Sequence, residues 1–291
     1  MPEPRALRVV QISDTHLSPV RAYAVPNVRA ILAWLAADPP DLVVHTGDIT
    51  ADDPDDAEEA DFARQLLTAD GLPLVVLPGN HDVGGFSGDR FSAERLARHQ
   101  ARWGGDEWVV ELGPWRLVGA DVYRLAEVDH LRWLRKILST DRAIALFLHQ
   151  PICLVDPGQP DAGDWSVPFP QRQGLLDAMA GRPVRLVASG HLHRYRAGSL
   201  PDGTAAVWAP AASFIGTIRD EGSTYVVGAV EHLLAPDGTA AHRLAQPPGV
   251  ELLRLPDLVP KGSESLRDAP PLALDALPMA PPQPTRGTVH E

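Results

Sequence analysis

Five short apolar runs constrain the fold of this chain most strongly. Each is rich in Val, Leu and Ile and has the length of a buried strand. The runs are LRVVQIS (7–13), DLVVHT (41–46), LPLVVL (72–77), AIALFL (143–148) and VRLVAS (184–189). Segments with helix-like spacing of apolar residues lie between them, at 26–37, 56–69, 92–103, 129–138 and 172–180. Strands that alternate with helices predict βαβ units and a mainly parallel sheet that is covered on both faces.

Three other stretches have strand–turn–strand patterns. They are VVELGPWRLVGAD (109–121), RAGSLPDGTAAVWAP (196–210) and TYVVGAVEHLLAPDGTAAHRL (224–244). The PDG turns in the last two are favourable for hairpins. We expect these strands to form a second, more antiparallel sheet that packs on the first. The predicted fold class is therefore α/β, a two-sheet β-sandwich flanked by helices.

The composition changes towards the end of the chain. Residues 1–245 are predicted to form one domain. From Pro256 onward the sequence is rich in Pro, Ala and Leu, and no helical or strand period persists. We therefore expect residues 246–291 to be a Pro-rich tail that is partly disordered.

The charge and hydropathy argue against several classes of partner. The formal net charge of −12 argues against broad binding to nucleic acids or anionic membranes. No apolar run approaches the roughly 20 residues of a membrane helix, and the N-terminus has no signal-peptide apolar region. We therefore expect a cytoplasmic protein, and we expect it to be a monomer or homodimer.

The single cysteine, Cys153, lies in an apolar stretch and is expected to be a buried structural thiol.

Polar residues that can bind metals follow all five apolar runs. They are Asp14 and His16 in SDTH, Asp48 in TGD, Asn80, His81 and Asp82 in GNHD, His149 in LHQP, and His191 and His193 in SGHLH. The carboxyl ends of strands in open α/β sheets face a ligand crevice, so five distant segments can meet at one place. Gly47, Gly79 and Gly190 stand just before these residues and permit tight turns and close approach of the backbone.

The spacing within the motifs supports such a meeting. In an extended chain, residues i and i+2 point to one face, so D-x-H and H-x-H can each aim two side chains at one centre. A lone histidine after a strand is more often hydrogen-bonded than metal-bound, and a single GD or D-x-H occurs by chance. The ordered combination of all five motifs indicates a site for two metal ions.

The remaining histidines are interpreted as structural. His45 lies inside a strand and is expected to be packed. His99 and His130 fall in helix-like segments and are expected to be exposed.

The motif series D-x-H, GD, GNHD, a lone His and GHxH runs from Asp14 to His193. It resembles the calcineurin-like metallophosphoesterase superfamily, and the resemblance spans about residues 7–230. Within it, the short chain and QISDTHL resemble the bacterial class III cyclic-nucleotide phosphodiesterases. Those enzymes often carry HHPP at the fourth motif, whereas this chain has His149, Gln150 and Pro151. The resemblance implies an αββα fold and a metal-dependent hydrolase of phosphoric esters.

The resemblance also implies which residues hold which metal. Asp14, His16 and His193 would hold one ion, Asp48 would bridge to the second, and Asn80, His149 and His191 would complete the ligands of the second ion. Imidazole and carboxylate ligands suit Mn, Fe or Zn better than Ca. The expected cofactors are therefore two divalent or trivalent ions of these metals. Two such ions, roughly 3.5–4 Å apart, can hold a bridging hydroxide that attacks the phosphate and can stabilise an in-line displacement.

The GNHD motif then divides into separate roles. Two divalent ions, two carboxylates and a hydroxide leave about one positive charge to attract a phosphate, which explains a neutral amide ligand at Asn80. The superfamily's GNHD histidine implies that His81 is the catalytic residue that assists the leaving oxygen; a structural role is the alternative. For Asp82 two roles stay open, orienting His81 or capping the following turn.

The expected substrate is a small phosphate ester, preferably a 3′,5′-cyclic nucleotide. A phosphomonoesterase or another small-molecule phosphodiesterase is the alternative. From another class, a non-catalytic metal-binding scaffold could recruit partners through the Pro-rich tail. Specificity should come from loops at the strand ends, above all residues 156–174. The candidates for contacting substrate are Arg21, Arg90 and Trp165.

Overall fold

The structure is a computed structural model that describes residues 5–51, 55–86, 90–160, 163–217, 220–263 and 265–277. The strands in these ranges are β1 (Leu7–Ile12), β2 (Leu42–His45), β3 (Leu74–Val76), β4 (Trp108–Leu112), β5 (Trp115–Gly119), β6 (Ala143–Phe147), β7 (Val184–Ser189), β8 (Arg196–Ser199), β9 (Ala205–Trp208), β10 (Ala229–Leu234) and β11 (Ala240–Ala245). The helices are α1 (Val25–Ala37), α2 (Ala57–Thr68), α3 (Asn80–Val83), α4 (Ala93–Trp103), α5 (Val128–Ile137), α6 (Phe169–Met179) and α7 (Leu255–Leu258). None of these helices has the length and apolarity that a membrane-spanning segment needs.

The strands form two mixed sheets. The first has the order β11-β10-β1-β2-β3, and the second has the order β4-β5-β6-β7-β9-β8. In the first sheet β1, β2 and β3 are parallel, and the β10–β11 hairpin pairs antiparallel with β1. In the second, β5, β6, β7 and β9 are parallel, and β4 and β8 pair antiparallel at the two edges. Each sheet therefore has parallel central strands whose carboxyl ends lie at one edge.

The core is layered because successive strand residues point to opposite faces. On β1, Val9 lies in the cluster between the sheets, whereas Val10 and Ile12 lie under the helices. On β6, Phe147 lies between the sheets and Leu146 lies on the helical side. Helices α1 and α2 cover the first sheet, and α5 and α6 cover the second. The predicted two-sheet α/β sandwich is confirmed.

The distribution of strands between the sheets differs from the prediction. The five apolar runs form strands and the three strand–turn–strand patterns form hairpins, as expected. The prediction that the five runs share one sheet was wrong, because β1, β2 and β3 lie in one sheet and β6 and β7 in the other. The strands that these runs form at the centre of each sheet are mostly buried on both faces, so their apolar content does not indicate their sheet.

The described part of the predicted tail lies against the domain. Leu255, Val259, Leu266 and Ala269 are buried in one cluster with Phe214. The backbone N–H of Ile215 donates to Leu253 over 2.9 Å, and that of Leu255 donates to Ile215 over 3.0 Å. The division at residue 245 coincides with the end of β11 and stays a prediction, while residues 278–291 lie outside the described residues.

Two histidines are more buried than expected. His99 on α4 is 5% exposed and His130 on α5 is 1% exposed, so the expectation that they are exposed was wrong. His99 lies three residues after the buried Leu96, and His130 lies four residues before the buried Leu134. Each histidine therefore shares the apolar face of its helix. His45 and Cys153 are buried, as expected.

Candidate metal centre

The ends of five strands bring the predicted site residues together. Hydrogen bonds join the loops that follow these strands. The N–H of Asp14 donates to Gly47 over 2.9 Å, and the N–H of Gly190 donates to His149 over 2.8 Å. Nδ1 of His149 lies 2.7 Å from the carbonyl oxygen of Thr46 and so connects the second sheet to the first. The two sheets therefore meet at these loops.

The donor atoms of the predicted ligands form two groups that share Asp48. The atoms of the first group lie within 4.8 Å of one another, and so do those of the second. The groups are Asp14, His16, Asp48 and His193, and Asp48, His149 and His191. Oδ1 of Asn80 lies 3.0 Å from Nε2 of His149 and so extends the second group. All seven predicted ligand residues thus lie at one place; their roles as ligands stay a prediction.

Five of these residues have a left-handed backbone conformation. In the described part of the chain, the non-glycine residues with positive φ are Asp14 (53°), His16 (41°), Asp48 (54°), His191 (70°) and His193 (51°). Such a conformation costs about 1–3 kcal/mol per residue and persists only where the surroundings impose it. Backbone strain is therefore concentrated at the positions that turn these side chains towards the centre.

Two glycines permit the close approach of the loops. A Cβ atom on Gly79 would overlap the carboxylate and the backbone nitrogen of Asp48, and one on Gly190 would overlap the hydroxyl of Ser13. Any larger residue at either position would push apart the loops that carry the donor atoms. The close backbone approach that the sequence predicts at these glycines is confirmed.

Hydrogen bonds determine which ring nitrogen of each histidine faces the centre. In three histidines Nδ1 donates to a backbone carbonyl, so Nε2 of a neutral ring offers its lone pair. The pairs are His16 with Ala51 (3.3 Å), His149 with Thr46 (2.7 Å) and His193 with Phe214 (2.7 Å). His191 has the opposite orientation. Its Nε2 lies 2.8 Å from the carbonyl oxygen of Asp164, and its buried Nδ1 has no partner among the described residues.

The donor set fits metal ions. Nε2 of His16 and Nε2 of His193 lie 3.1 Å apart, and in these tautomers both carry lone pairs. Nε2 of His149 and Oδ1 of Asn80 are also two acceptors at hydrogen-bond distance. Facing lone pairs repel each other unless a cation lies between them. Together with two buried carboxylates, these atoms form the mixed nitrogen and oxygen donor set that transition metals prefer.

Asp48 remains anionic although it is 2% exposed. Burial raises the pKa of its carboxyl group, but nearby histidines in their charged form, whose place bound metal ions would take, and His149 most strongly, hold the pKa well below its usual value. The backbone N–H of His81 also donates to Oδ1 of Asp48 over 2.8 Å. Asp48 therefore supplies a negative charge that both groups share.

His81 lies beside the centre and belongs to neither donor group of the described residues. Its side chain is 30% exposed, and its Nε2 lies 4.0 Å from Oδ2 of Asp48. The ring packs edge-on against His16, with 4.7 Å between the ring centroids. The side chain therefore reaches the space in which a substrate would lie.

Asp82 joins two of the loops and caps α3. Its carboxylate accepts hydrogen bonds from the backbone N–H groups of Ile49 (3.1 Å), Thr50 (3.3 Å) and Gly79 (2.8 Å). Gly79 precedes the first residue of α3, so the last of these bonds satisfies a donor at the helix start. Of the two roles that the sequence left open, these contacts favour the capping of the turn.

A pocket of about 230 Å³ opens beside the two groups, somewhat below the usual range of about 300–1,000 Å³ for small-molecule sites. His81 and Asn80 lie on one wall. Several apolar side chains also line it, namely Trp165, Leu192, Phe214 and Leu255. Among the three predicted substrate-contact candidates, Trp165 lines this pocket. Arg21 and Arg90 do not line it, and Nε of Arg21 instead donates to the carbonyl of Ala269.

Some residues at this site have no strong signal in the sequence. Asp164 and Phe214 contribute backbone carbonyls, and any residue type has one. Arg194 directly follows the GHLH motif and lines the pocket, and this adjacency was the available signal. Leu255 reaches the pocket from a segment predicted to be a tail. Its place in the pocket wall depends on a long-range contact, which cannot be predicted from the composition of the segment.

Comparison with known proteins identifies relatives. The calcineurin-like phosphoesterase family matches residues 7–195. A probable glycerophosphodiester phosphodiesterase of Arcobacter nitrofigilis is 30% identical over 212 residues, which are 64% of this chain and 71% of that protein. A serine/threonine-protein phosphatase of Bos taurus is 30% identical over 153 residues, which are 48% of this chain and 47% of that protein.

A solved structure has the same architecture. The purple acid phosphatase from yellow lupin (Lupinus luteus) seeds aligns with a TM-score of 0.59 and 18% identity, over 83% of this chain and 52% of that one. At this identity the likeness concerns the fold alone. The family match covers all five motifs of the sequence up to His193, so the predicted superfamily is confirmed. The chain belongs to the calcineurin-like phosphoesterase family and is a metal-dependent phosphoester hydrolase.

Proposed function

We propose that this chain hydrolyses small phosphodiesters at a centre of two metal ions. The observation that carries the proposal is the meeting of seven side chains in two donor groups, with Asp48 in both. Asp14, His16 and His193 would hold one ion, and Asn80, His149 and His191 would hold the other. The donor set suits Mn, Fe or Zn. When bound, such ions polarise phosphoryl oxygens and make water a stronger nucleophile.

The charges of the protein groups suit an anionic substrate. Asp14 and Asp48 contribute two negative charges, whereas Asn80 is neutral. Two divalent ions would therefore leave a positive surplus beside the pocket, which attracts a phosphate. A carboxylate at position 80 would reduce that surplus. The neutral amide is thus part of substrate binding as well as of metal binding.

His81 is the proposed proton donor to the leaving oxygen. Its ring is partly exposed to the pocket and lies beside Asp48. General acid help of this kind is typically worth ~10²–10⁴ in rate. The backbone of His81 is held by the bond from its N–H to Asp48, so the ring keeps its place relative to the donor groups.

A 3′,5′-cyclic nucleotide is the preferred substrate, supported by the likeness of QISDTHL and the motif order to class III phosphodiesterases. A glycerophosphodiester is the second candidate. It is favoured by the 30% identity to a probable glycerophosphodiester phosphodiesterase. Both are small phosphodiesters and would present a phosphate to the same two donor groups.

A substrate panel on metal-loaded protein tests this proposal. The panel compares 3′,5′- and 2′,3′-cyclic nucleotides, glycerophosphodiesters and phosphomonoesters at equal concentration. We expect kcat/KM to be higher for the diesters than for the monoesters, and highest for a 3′,5′-cyclic nucleotide. A clear preference for monoesters would overturn the proposal, and a preference for glycerophosphodiesters would replace the first candidate with the second.

A further inference from the structure

The pocket beside the donor groups has an aromatic and apolar wall. Trp165, Phe214 and Leu255 line it together with Leu192. Trp165 is 41% exposed, whereas Phe214 and Leu255 are 3% and 5% exposed. The indole is therefore the side chain of this wall with the largest area available to a ligand.

The backbone at Trp165 is held in place from the metal centre. The carbonyl oxygen of Asp164 lies 2.8 Å from Nε2 of Gln150 and 2.8 Å from Nε2 of His191. It thus accepts hydrogen bonds from two side chains that belong to different strand ends. The indole ring also lies against the ring of His191, with 5.8 Å between centroids. Trp165 is consequently positioned relative to a predicted metal ligand.

Gln150 has a defined task in this arrangement. It is 0% exposed and stands where the fourth motif departs from HHPP. Its amide nitrogen donates to the backbone carbonyl of Asp164 over 2.8 Å. Gln150 is therefore a positioning residue that connects the insertion at 156–174 to the end of β6.

We propose that Trp165 forms a subsite that stacks on a planar aromatic ester group of the substrate, and that Gln150 positions this subsite. The inference rests on the proposed phosphodiesterase function. It adds the chemical class of the group to which the phosphate is esterified. An aromatic side chain that is already positioned before binding loses less conformational freedom when a planar group stacks on it. A nucleobase provides such a face, and stacking of bases on aromatic side chains is favourable for every base. A glycerol group has no such face.

Paired ligands with and without a base test the inference. We compare 3′,5′-cyclic AMP with 1-O-methylribose 3′,5′-cyclic phosphate, which keeps the reacting group and lacks the base. In Trp165→Ala we expect kcat/KM for cyclic AMP to fall about ten-fold or more, and by at least five times more than for the ligand without a base. Trp165→Phe should recover most of the loss. Val155→Ala, at an exposed apolar residue that does not line the pocket, is the control and should leave kcat/KM for both substrates unchanged.

Gln150→Ala separates positioning from chemistry. We expect a higher KM for cyclic AMP with little change in kcat, and a smaller change in KM for the ligand without a base. A fall in kcat that is equal for both substrates would show that Gln150 acts on the metal centre, and it would overturn the positioning role.

Calorimetric binding of 5′-AMP and ribose 5-phosphate makes the test independent of turnover. We expect tighter binding of 5′-AMP, and a loss of this preference in Trp165→Ala. If the wild type hydrolyses no diester but prefers 5′-AMP through Trp165, the proposed reaction fails and the subsite stands. If Trp165→Ala weakens both ligands equally, in binding and in kcat/KM, the subsite is overturned while the phosphodiesterase function stands.

Discussion

At the scale of single residues, the centre depends on side chains that lie behind the donor atoms. The carboxylate of Asp82 holds the backbone of Ile49, Thr50 and Gly79, and these residues flank Asp48 and Asn80. Burial and the charge of Asp48 raise the pKa of Asp82 to about 6. An ionised carboxylate at position 82 is therefore unfavourable by itself, and the hydrogen bonds that it accepts from several backbone N–H groups offset this cost.

Replacing Asp82 by alanine should destabilise the protein. The change leaves three backbone N–H groups without their acceptor, and each such buried group costs about 1–3 kcal/mol. We expect the free energy of unfolding to fall by at least about 2 kcal/mol, measured by urea denaturation. Asp70→Ala, at an exposed residue, is the control. A loss in Asp82→Ala no larger than in this control would contradict the capping role.

His81→Ala should reveal the proton donor through the leaving group. A poor leaving group needs protonation, so we expect kcat to fall by ~10²–10⁴ on such a diester. On a 4-nitrophenyl diester, whose leaving group departs without a proton, the fall should be much smaller. Metal content should match the wild type, because the ring belongs to neither donor group. Equal losses on the two substrates would exclude the general acid role.

At the scale of residues, the sequence predicts the convergence of the metal-binding side chains better than it predicts the lining of the pocket. D-x-H predicts two side chains at one centre, and Asp14 and His16 do share a donor group, whereas His191 and His193 lie in different groups that meet at Asp48. The left-handed backbone at these positions, rather than an extended chain, turns the side chains towards the centre. Trp165 could be predicted as a candidate because it stands in a long insertion at a strand end. The role of Asp164 could not be predicted, because a backbone carbonyl has no residue-specific signal.

At the scale of elements, the positions of helices and strands along the chain were predictable, but the pairing partners of the strands were not. Helix α4 (Ala93–Trp103) was predicted at 92–103, and β7 (Val184–Ser189) was predicted at 184–189. Local apolar spacing determines both. The sheet to which β6 or β7 belongs depends on pairing between distant segments, and strands buried on both faces look alike in sequence.

His99 should make α4 sensitive to acid. Burial lowers the pKa of His99 to about 3, compared with about 6.5 in the unfolded chain. Below pH 6.5 the unfolded state therefore binds a proton that the folded state does not, so stability falls as the pH falls towards 3. Between pH 7 and pH 5 the contribution of His99 to this loss is about 2 kcal/mol.

Urea unfolding of metal-depleted wild type and His99→Leu at several pH values measures this contribution. The stability of the variant should depend less steeply on pH below 6.5, by about one proton. Above pH 7.5 the difference between the two proteins should be constant. A constant difference at every pH would show that His99 does not carry the titration.

At the scale of the whole molecule, the segment after β11 completes the fold. The side chain of Asn27 on α1 donates to the carbonyls of Ser213 (3.0 Å) and Glu251 (2.9 Å), and it accepts from the N–H of Glu251 (2.8 Å). Leu272 pairs with the backbone of residues 20–22. The segment is thus attached to the domain at several places and supplies Leu255 to the pocket wall.

Ending the chain after residue 246 should lower the melting temperature. Three large side chains, Leu255, Val259 and Leu266, would lose their burial, which is worth about 1.5 kcal/mol each. At 2–4 °C per kcal/mol, we expect a fall of roughly 10 °C by calorimetry. A chain ending at Leu277 keeps all of these contacts and is the control. Equal melting temperatures for the two truncated chains would contradict a stabilising role of this segment.

The metal content of the wild type and of Asp48→Ala tests the central claim most directly. Asp48 belongs to both donor groups, so its loss should affect both ions. Elemental analysis by mass spectrometry should find two metal ions per wild-type chain and clearly fewer in Asp48→Ala. Hydrolysis of diesters should be lost with them, with Asp70→Ala unchanged in both measurements. Two bound ions and full activity in Asp48→Ala would contradict a two-metal centre that is shared through this carboxylate.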